Sequence, residues 1–148
     1  MEWSRILLML AFACAPNLIF AQIYPSKPIT IVVPFAPGGT NDLVGRPLAQ
    51  KLSDVFGRPV LIENRGGAGG TVGSARVATA APDGYTLLIG SAGPLGTAPG
   101  YYKNISYDPV KDLAPISLLM TSPIILLVNP VVPAKSVADL VRLAKSMP

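Results

Sequence analysis

Short apolar runs alternate with helical stripes along much of the chain. The runs Ile29–Val33, Val60–Ile62 and Tyr85–Ile89 are nearly continuous, which is typical of strands buried on both faces. Between them, apolar residues recur at helical spacing over Asp42–Phe56, and a helix of small residues is predicted over Thr71–Ala81. Strand, helix, strand, helix and strand in this order predict an α/β fold with parallel strands and right-handed crossovers.

The later part of the chain has a less regular pattern. A long loop rich in Gly, Pro and Ser is predicted over Gly90–Pro109, a length typical of functional or mobile loops. Two more strands are predicted over Ile116–Met120 and Ile124–Val128, and Ser136 is predicted to cap a last helix. Because no strand follows that helix, we expect the chain to be a fragment of a longer protein.

The amino-terminal segment 1–22 has the pattern of an export signal. Arg5 supplies a positive start, and the apolar run Ile6–Ala15 is long enough for a signal peptide but short for a membrane span. Cleavage is predicted near the small residue Ala21. The alternatives are an uncleaved anchor, a buried amino-terminal helix, and lipid attachment at Cys14.

Composition excludes several kinds of chemistry. The chain has no histidine, and its only cysteine lies in the predicted signal, so the Ser-His-Asp and Cys-His catalytic arrangements are excluded. We expect no metal site and no cofactor. The net charge of +4 is mild, and no basic run interleaved with aromatic residues indicates a nucleic-acid partner. A mildly positive chain is compatible with a small anionic ligand.

The turn after the first predicted strand carries the clearest functional pattern. Two glycines lead into a helix, and Thr40, Asn41 or Asp42 is predicted to cap it. Amides at a helix start have no intrahelical acceptor and lie at the positive end of the helix dipole, so they form a cradle for an anion. The predicted ligand-binding residues here are Gly38, Gly39, Thr40, Asn41 and Asp42; Phe35, Ala36 and Pro37 join them only through the resemblance given below. The alternative is a tight turn that needs glycine only for backbone freedom.

Two further segments follow predicted strands. Gly66–Gly73 opens a helix as a dinucleotide fingerprint does, but its glycine spacing is wrong and no P-loop lysine follows. We interpret it as a close-packed helix start, or as a contributor to the anion site through Gly69. Ser91, Ala92 and Gly93 follow the third strand and are predicted to line the same site, because ligands bind at the carboxyl ends of strands in open α/β sheets. An ordinary loop start is the alternative.

Several blocks, in their order along the chain, resemble one known family. The blocks are Pro34–Gly39 with Asp42, Glu63–Arg65 with Gly67–Gly70, Pro82–Leu87, Tyr107–Leu113 and Pro133–Val137. Together they resemble the substrate-binding receptors of tripartite tricarboxylate transporters, often called the Bug family. The resemblance covers residues 24–148.

The resemblance implies a periplasmic protein with a fold of the periplasmic-binding-protein type, in which two α/β lobes close on a small carboxylate. It implies a signal peptide over 1–21, a first lobe over 22–122 and the start of a truncated second lobe over 123–148. The loops Phe35–Asp42 and Ser91–Gly93 are then expected to face the ligand. The family often carries a histidine and an Asn-Pro pair after the third strand, and both are absent here, so the specificity is expected to differ.

We therefore expect an exported, non-catalytic receptor that binds a di- or tricarboxylate and delivers it to the membrane subunits of a transporter. The first alternative is a nucleotide-dependent enzyme of the Rossmann type, built on Gly67–Gly73. The second alternative is a truncated, non-functional receptor fragment. Arg46 is the only cation near the first turn in sequence, and it is expected on the outer face of its helix.

Overall fold

The computed structural model describes residues 24–147. The predicted signal peptide lies outside this range. The chain divides after Pro115 into two compact units. Within the described range, no helix combines the length and the apolar character that a membrane crossing requires.

A three-stranded parallel sheet forms the centre of the first unit. β1 spans Ile29–Val33, β2 spans Val60–Asn64 and β3 spans Thr86–Leu88, in the spatial order β2-β1-β3. The register of β1 and β2 places Val33 opposite Asn64 at the carboxyl edge. β1 is the central strand and both crossover helices contact it, so all but one of its residues are buried. The predicted parallel α/β sheet is confirmed.

Two helices connect the strands. α1 spans Thr40–Phe56 and α2 spans Thr71–Ala78, so α1 begins earlier and α2 ends earlier than predicted. The glycine after α1, Gly57, has the left-handed conformation (φ 60°) that commonly ends a helix. Gly45 lets α1 approach the sheet, because a Cβ there would lie 3.3 Å from the Cγ2 of Val33.

The core of the first unit lies between one face of the sheet and α1. Alternate residues of β1 point to the same face, and aliphatic side chains from the other strands and from α1 meet them there. Each such side chain contributes roughly 1.5–3 kcal/mol when fully buried. The buried core residues are Ile29, Ile31, Val33, Ala49, Val60 and Ile89.

The segment predicted as one long loop contains helical structure, so that prediction was wrong in part. A wide helical turn spans Gly93–Thr97, and α3 spans Ala98–Tyr101. Proline occupies the first turn of each, where its missing amide is not needed, so its presence does not indicate an irregular loop. The buried Tyr107 donates its hydroxyl to the carbonyl of Pro94 at 2.6 Å and ties the end of the segment to its start.

The second unit has one helix in residues 116–147, and this helix, α4, spans Val137–Ser146. Ser136 caps it as predicted, because its Oγ accepts from the amide of Asp139 at 3.1 Å. The two strands predicted over Ile116–Met120 and Ile124–Val128 do not form. An apolar run forms a strand only where a neighbouring strand accepts its hydrogen bonds, and these segments have none within the described residues.

Candidate carboxylate site

Three loops meet at the carboxyl edge of the sheet. Loop one covers residues 34–39 after β1, loop two covers 65–70 after β2, and loop three covers 89–97 after β3. A Cβ on Gly70 would lie 3.1 Å from the Cζ of Phe35 and 3.1 Å from the Cγ of Pro94. Loop two is therefore packed against both of its neighbours, as expected where parallel strands end at one edge.

Asp42, in the first turn of α1, is the centre of a hydrogen-bond network and is only 3% exposed. Its Oδ2 accepts from the amide of Gly38 at 2.9 Å and from the Nε of Arg46 at 2.8 Å. Its Oδ1 accepts from the Nδ2 of Asn64 at 2.8 Å. The bond from Arg46, followed by those from Gly38 and Asn64, lowers the pKa of Asp42 to about 2 against the opposing effect of burial. The carboxylate is ionised at neutral pH and holds loop one in place.

Asn64 connects this network to the backbone of loop one. Its Nδ2 also donates to the carbonyl of Phe35 at 3.3 Å, and its Oδ1 accepts from the Nη2 of Arg46 at 3.2 Å. Asn64 was not among the predicted site residues, although a polar side chain at the carboxyl end of β2 could have indicated it. The expectation that Arg46 lies on the outer face was incomplete: the side chain is half exposed, but its guanidinium bonds both Asp42 and Asn64.

None of the three predicted caps bonds an amide of α1, because the N-cap position is Gly39 and has no side-chain cap. Asn41 instead donates to the carbonyl of Ile89 at 3.4 Å, and Asp42 reaches back to Gly38. Both side chains are thus engaged with neighbouring loops. The first amides of α1, beginning with that of Thr40, have no intrahelical acceptor and no capping side chain, so they remain as donors for an anion.

The other predicted residues of loop one lie at the surface of the first unit. Gly38 has φ 84°, a left-handed conformation that favours glycine. Phe35 is half-buried, and its ring lies against Gly70 of loop two. The exposed residues are Ala36, Pro37, Gly38, Gly39 and Thr40.

The predicted residues of loops two and three lie close together. A Cβ on Gly93 would lie 3.7 Å from the carbonyl oxygen of Gly69. Ala92 and Gly93 are exposed, whereas the hydroxyl of Ser91 is buried and has no hydrogen-bond partner among the described residues. Since buried hydroxyls are normally bonded, Ser91 is able to accept a water or a ligand group as its partner. The Asn41 bond to Ile89 links loop three to α1.

The glycine-rich start of α2 is used for packing. A Cβ on Gly73 would lie 2.6 Å from the carbonyl oxygen of Arg65 and 2.7 Å from the Cα of Pro34. The chain's own backbone fills the space at this glycine, which confirms the interpretation as a close-packed helix start. In residues 24–147, no group of three or more His, Cys, Asp or Glu residues is arranged to hold a metal ion.

Comparison with known proteins gives consistent matches. The model of the tripartite tricarboxylate transporter family receptor matches residues 44–148. Protein BugT of Bordetella pertussis is 39% identical over 153 residues, which cover 100% of this chain and 47% of BugT.

Two solved structures extend the comparison. MatC from Rhodopseudomonas palustris, with bound malate, is 40% identical with a TM-score of 0.73, and the match covers 83% of this chain and 42% of MatC. A second R. palustris protein, with adipate, is 34% identical with a TM-score of 0.63, over 84% of this chain and 42% of that protein.

The matches to the solved structures confirm that the chain has a fold of the periplasmic-binding-protein type, over part of the length of those structures. The chain spans less than half the length of the relatives it matches. The family model covers well over half of the chain. The chain therefore belongs to the receptor family of the tripartite tricarboxylate transporters, which is a family of binding proteins rather than enzymes.

Proposed function

We propose that this chain is the ligand-binding part of an exported receptor that captures a small carboxylate for a tripartite tricarboxylate transporter. The observation that carries the proposal is the uncapped start of α1 beside the exposed loop one. Amides at a helix start donate to an anion in bonds that its charge strengthens. The malate and adipate of the two R. palustris relatives support a dicarboxylate as the ligand.

In this proposal, backbone amides and bound water hold the carboxylate of the ligand, and no arginine side chain binds it. Arg46 is the cation beside loop one, and Asp42 and Asn64 already occupy its guanidinium. Water-mediated hydrogen bonds are nearly as favourable in enthalpy as direct ones, so such a site need not be weak. The ionised Asp42 acts indirectly: it accepts a hydrogen bond from the Gly38 amide and so fixes the shape of loop one.

We place the receptor in the periplasm, with the membrane subunits of the transporter as its partners. The family is periplasmic, and the signal peptide predicted over 1–21 supports export of this chain. We assign residues 22–122 to a first lobe and 123–148 to the start of a second lobe. Ligand binding in a two-lobed receptor is coupled to closure of the lobes.

The alternative of a nucleotide-dependent enzyme is wrong, because the family consists of receptors. The close packing of Gly73 on Arg65 and Pro34 accounts for a glycine that had suggested a nucleotide site. A non-functional receptor fragment would fold without binding a carboxylate, so a measurement of ligand binding distinguishes this alternative from the proposal.

The first test is thermal stabilisation of the purified chain by malate, succinate, adipate and citrate, with NAD and ATP as controls. A ligand at 100 times its dissociation constant adds about 2.7 kcal/mol to the free energy of unfolding. We expect stabilisation by a di- or tricarboxylate and none by NAD or ATP. Cooperative unfolding without any carboxylate effect would favour the non-functional fragment.

A pair of variants at Thr40 tests the amide cradle itself. Thr40→Pro removes one amide donor at the first position of α1, where proline is well tolerated, and the extended Gly39 before it suits a following proline. Thr40→Ala removes only the hydroxyl and is the matched control. We expect Thr40→Pro to weaken carboxylate binding by about tenfold or more, and Thr40→Ala to bind like the wild type. Equal affinities in both variants would contradict a role for this amide.

A further inference from the structure

We propose that Tyr101 and Tyr102 form an aromatic wall beside the carboxylate site, and that this wall selects ligands with an apolar, preferably aromatic, body. The inference rests on the proposed function, because it concerns the ligand of the same site. A groove of about 240 Å³ opens next to loops two and three. It is lined by Gly69, Gly93, Thr97, Ala98, Tyr101 and Tyr102.

The groove shares two residues with the predicted carboxylate site. Gly69 and Gly93 belong to its lining, and Gly70, the residue after Gly69, lies against both the ring of Phe35 and Pro94, since a Cβ there would be 3.1 Å from each. Phe35 belongs to loop one and lies two residues after the end of β1. A ligand whose carboxylate binds the amides at the start of α1 then has this groove on the side of loops two and three, where an apolar part of its body can lie.

The walls of the groove favour an uncharged group. No charged side chain contributes to the lining. The hydroxyl of Thr97 donates to the carbonyl of Gly93 at 3.0 Å, so hydrogen bonding within the turn occupies this polar group. A second carboxylate placed here would lose water without gaining a cation, which is unfavourable. An apolar body would lose little hydration and gain contact with the rings.

The two tyrosine rings have the geometry and exposure of a binding surface. Their centroids are 5.3 Å apart and the planes are inclined by 83°, an edge-to-face pair that leaves ring surface for a third aromatic group. Tyr101 is 82% exposed and Tyr102 is 40% exposed. Tyr107 in the same segment is buried, and its hydroxyl is bonded. Large exposed rings next to a candidate site are typical of ligand contact.

Ligands matched in charge test the inference. Benzoate and butyrate each carry one carboxylate, and only benzoate has an aromatic body, while malate reports on the carboxylate site itself. Dissociation constants would be measured by ligand-observed NMR on the purified chain, which detects weak binding. The variants are Tyr101→Ala, Tyr102→Ala and the conservative Tyr102→Phe, with Tyr24→Phe as a control tyrosine outside the groove lining. Circular dichroism would establish that each variant is folded.

We expect benzoate to bind about tenfold more tightly than butyrate, since an aromatic ring gains contact energy with other rings beyond that of the apolar area it buries. The two alanine variants should lose this preference and keep the affinity for malate, whereas Tyr102→Phe and Tyr24→Phe should retain both. Malate binding without a benzoate preference, or a preference that survives both alanine substitutions, would overturn the inference and leave the proposed function standing. Absence of binding by any carboxylate would overturn both.

Discussion

The side-chain amide of Asn64 donates to Oδ1 of Asp42 at 2.8 Å, which joins the end of β2 to the first turn of α1. The other carboxylate oxygen of Asp42 accepts from the amide of Gly38. The contact between β2 and α1 thus fixes the backbone of loop one. The proposed cradle is therefore preorganised by a hydrogen-bond network around the buried Asp42, and breaking one of these bonds should affect both stability and binding.

Acid should destabilise the protein through Asp42. Its folded pKa of about 2 lies below the value of about 3.9 for an unfolded aspartate, so the ionised group contributes stability that is present above about pH 4 and is lost as the pH falls through about 2. Asp42→Asn should lower the melting temperature at pH 6, and the difference from the wild type should shrink towards pH 2. Asp54→Asn, at an exposed carboxylate of the same helix, is the control and should follow the wild-type profile. A difference for Asp42→Asn that is independent of pH would contradict this role.

Asn64→Ala should loosen loop one. The variant leaves the carbonyl of Phe35 and Oδ1 of Asp42 without their donor, so the Gly38 amide should be held less firmly. We expect hydrogen exchange at the Gly38 amide to accelerate about tenfold, and malate affinity to fall by a similar factor, while amides of β1 keep their protection. Gln50→Ala, at an exposed position of α1, is the control. Unchanged exchange at Gly38 would show that Asn64 does not position the loop.

The strands of the sheet could be predicted from the sequence because they depend on local pattern. Ile29–Val33 is apolar throughout, and a run of this kind is buried on both faces wherever it lies in a parallel sheet. The meeting of three loops at the carboxyl edge could be predicted for the same reason, since the strand-to-helix order fixes which loops lie there.

The hydrogen-bond partners in the site depend on register and could not be predicted. The position of Asn64 beside Asp42 follows from the pairing of β2 with β1, which places Asn64 opposite Val33. A capping role was assigned to Asp42 because the local pattern allowed it, yet its carboxylate bonds backward to Gly38. The run Ile124–Val128 has the apolar pattern of a strand but forms none, because no neighbouring strand among the described residues pairs with it.

Gly73→Ala should destabilise the first unit strongly. The added Cβ would lie 2.6 Å from the carbonyl oxygen of Arg65 and 2.7 Å from the Cα of Pro34, and neither backbone atom moves easily. Overpacking of this kind costs about 1–3 kcal/mol, and each kcal/mol lowers the melting temperature by roughly 4–8 °C in a small domain. Gly100→Ala, where nothing lies within 4 Å, is the control and should be neutral. Equal melting temperatures for the two variants would show that α2 is not tightly packed at this point.

Tyr24 should stabilise the first unit, because its ring and its hydroxyl contact residues that are distant in sequence. Its ring contacts those of Tyr85 and Phe56, at centroid distances of 5.0 and 6.2 Å, and its hydroxyl donates to the carbonyl of Gly84 at 2.7 Å. Tyr24→Ala should lower the free energy of unfolding by roughly 2 kcal/mol, and Tyr24→Phe by about 1 kcal/mol, because only the hydrogen bond is lost. Urea denaturation measures both. Equal losses in the two variants would mean that the rings contribute little.

Tyr107→Phe should weaken the closure of loop three. The buried hydroxyl donates to the carbonyl of the fully buried Pro94, so its removal leaves that carbonyl without a donor at a cost of about 1–3 kcal/mol. Tyr101→Phe removes an exposed hydroxyl from the same segment and should leave the free energy of unfolding unchanged. Chemical denaturation of the two variants gives the comparison. Because Pro94 also packs on Gly70, faster hydrogen exchange in loop two of Tyr107→Phe would show that the tyrosine supports both loops, whereas identical exchange and stability in the two variants would refute this role.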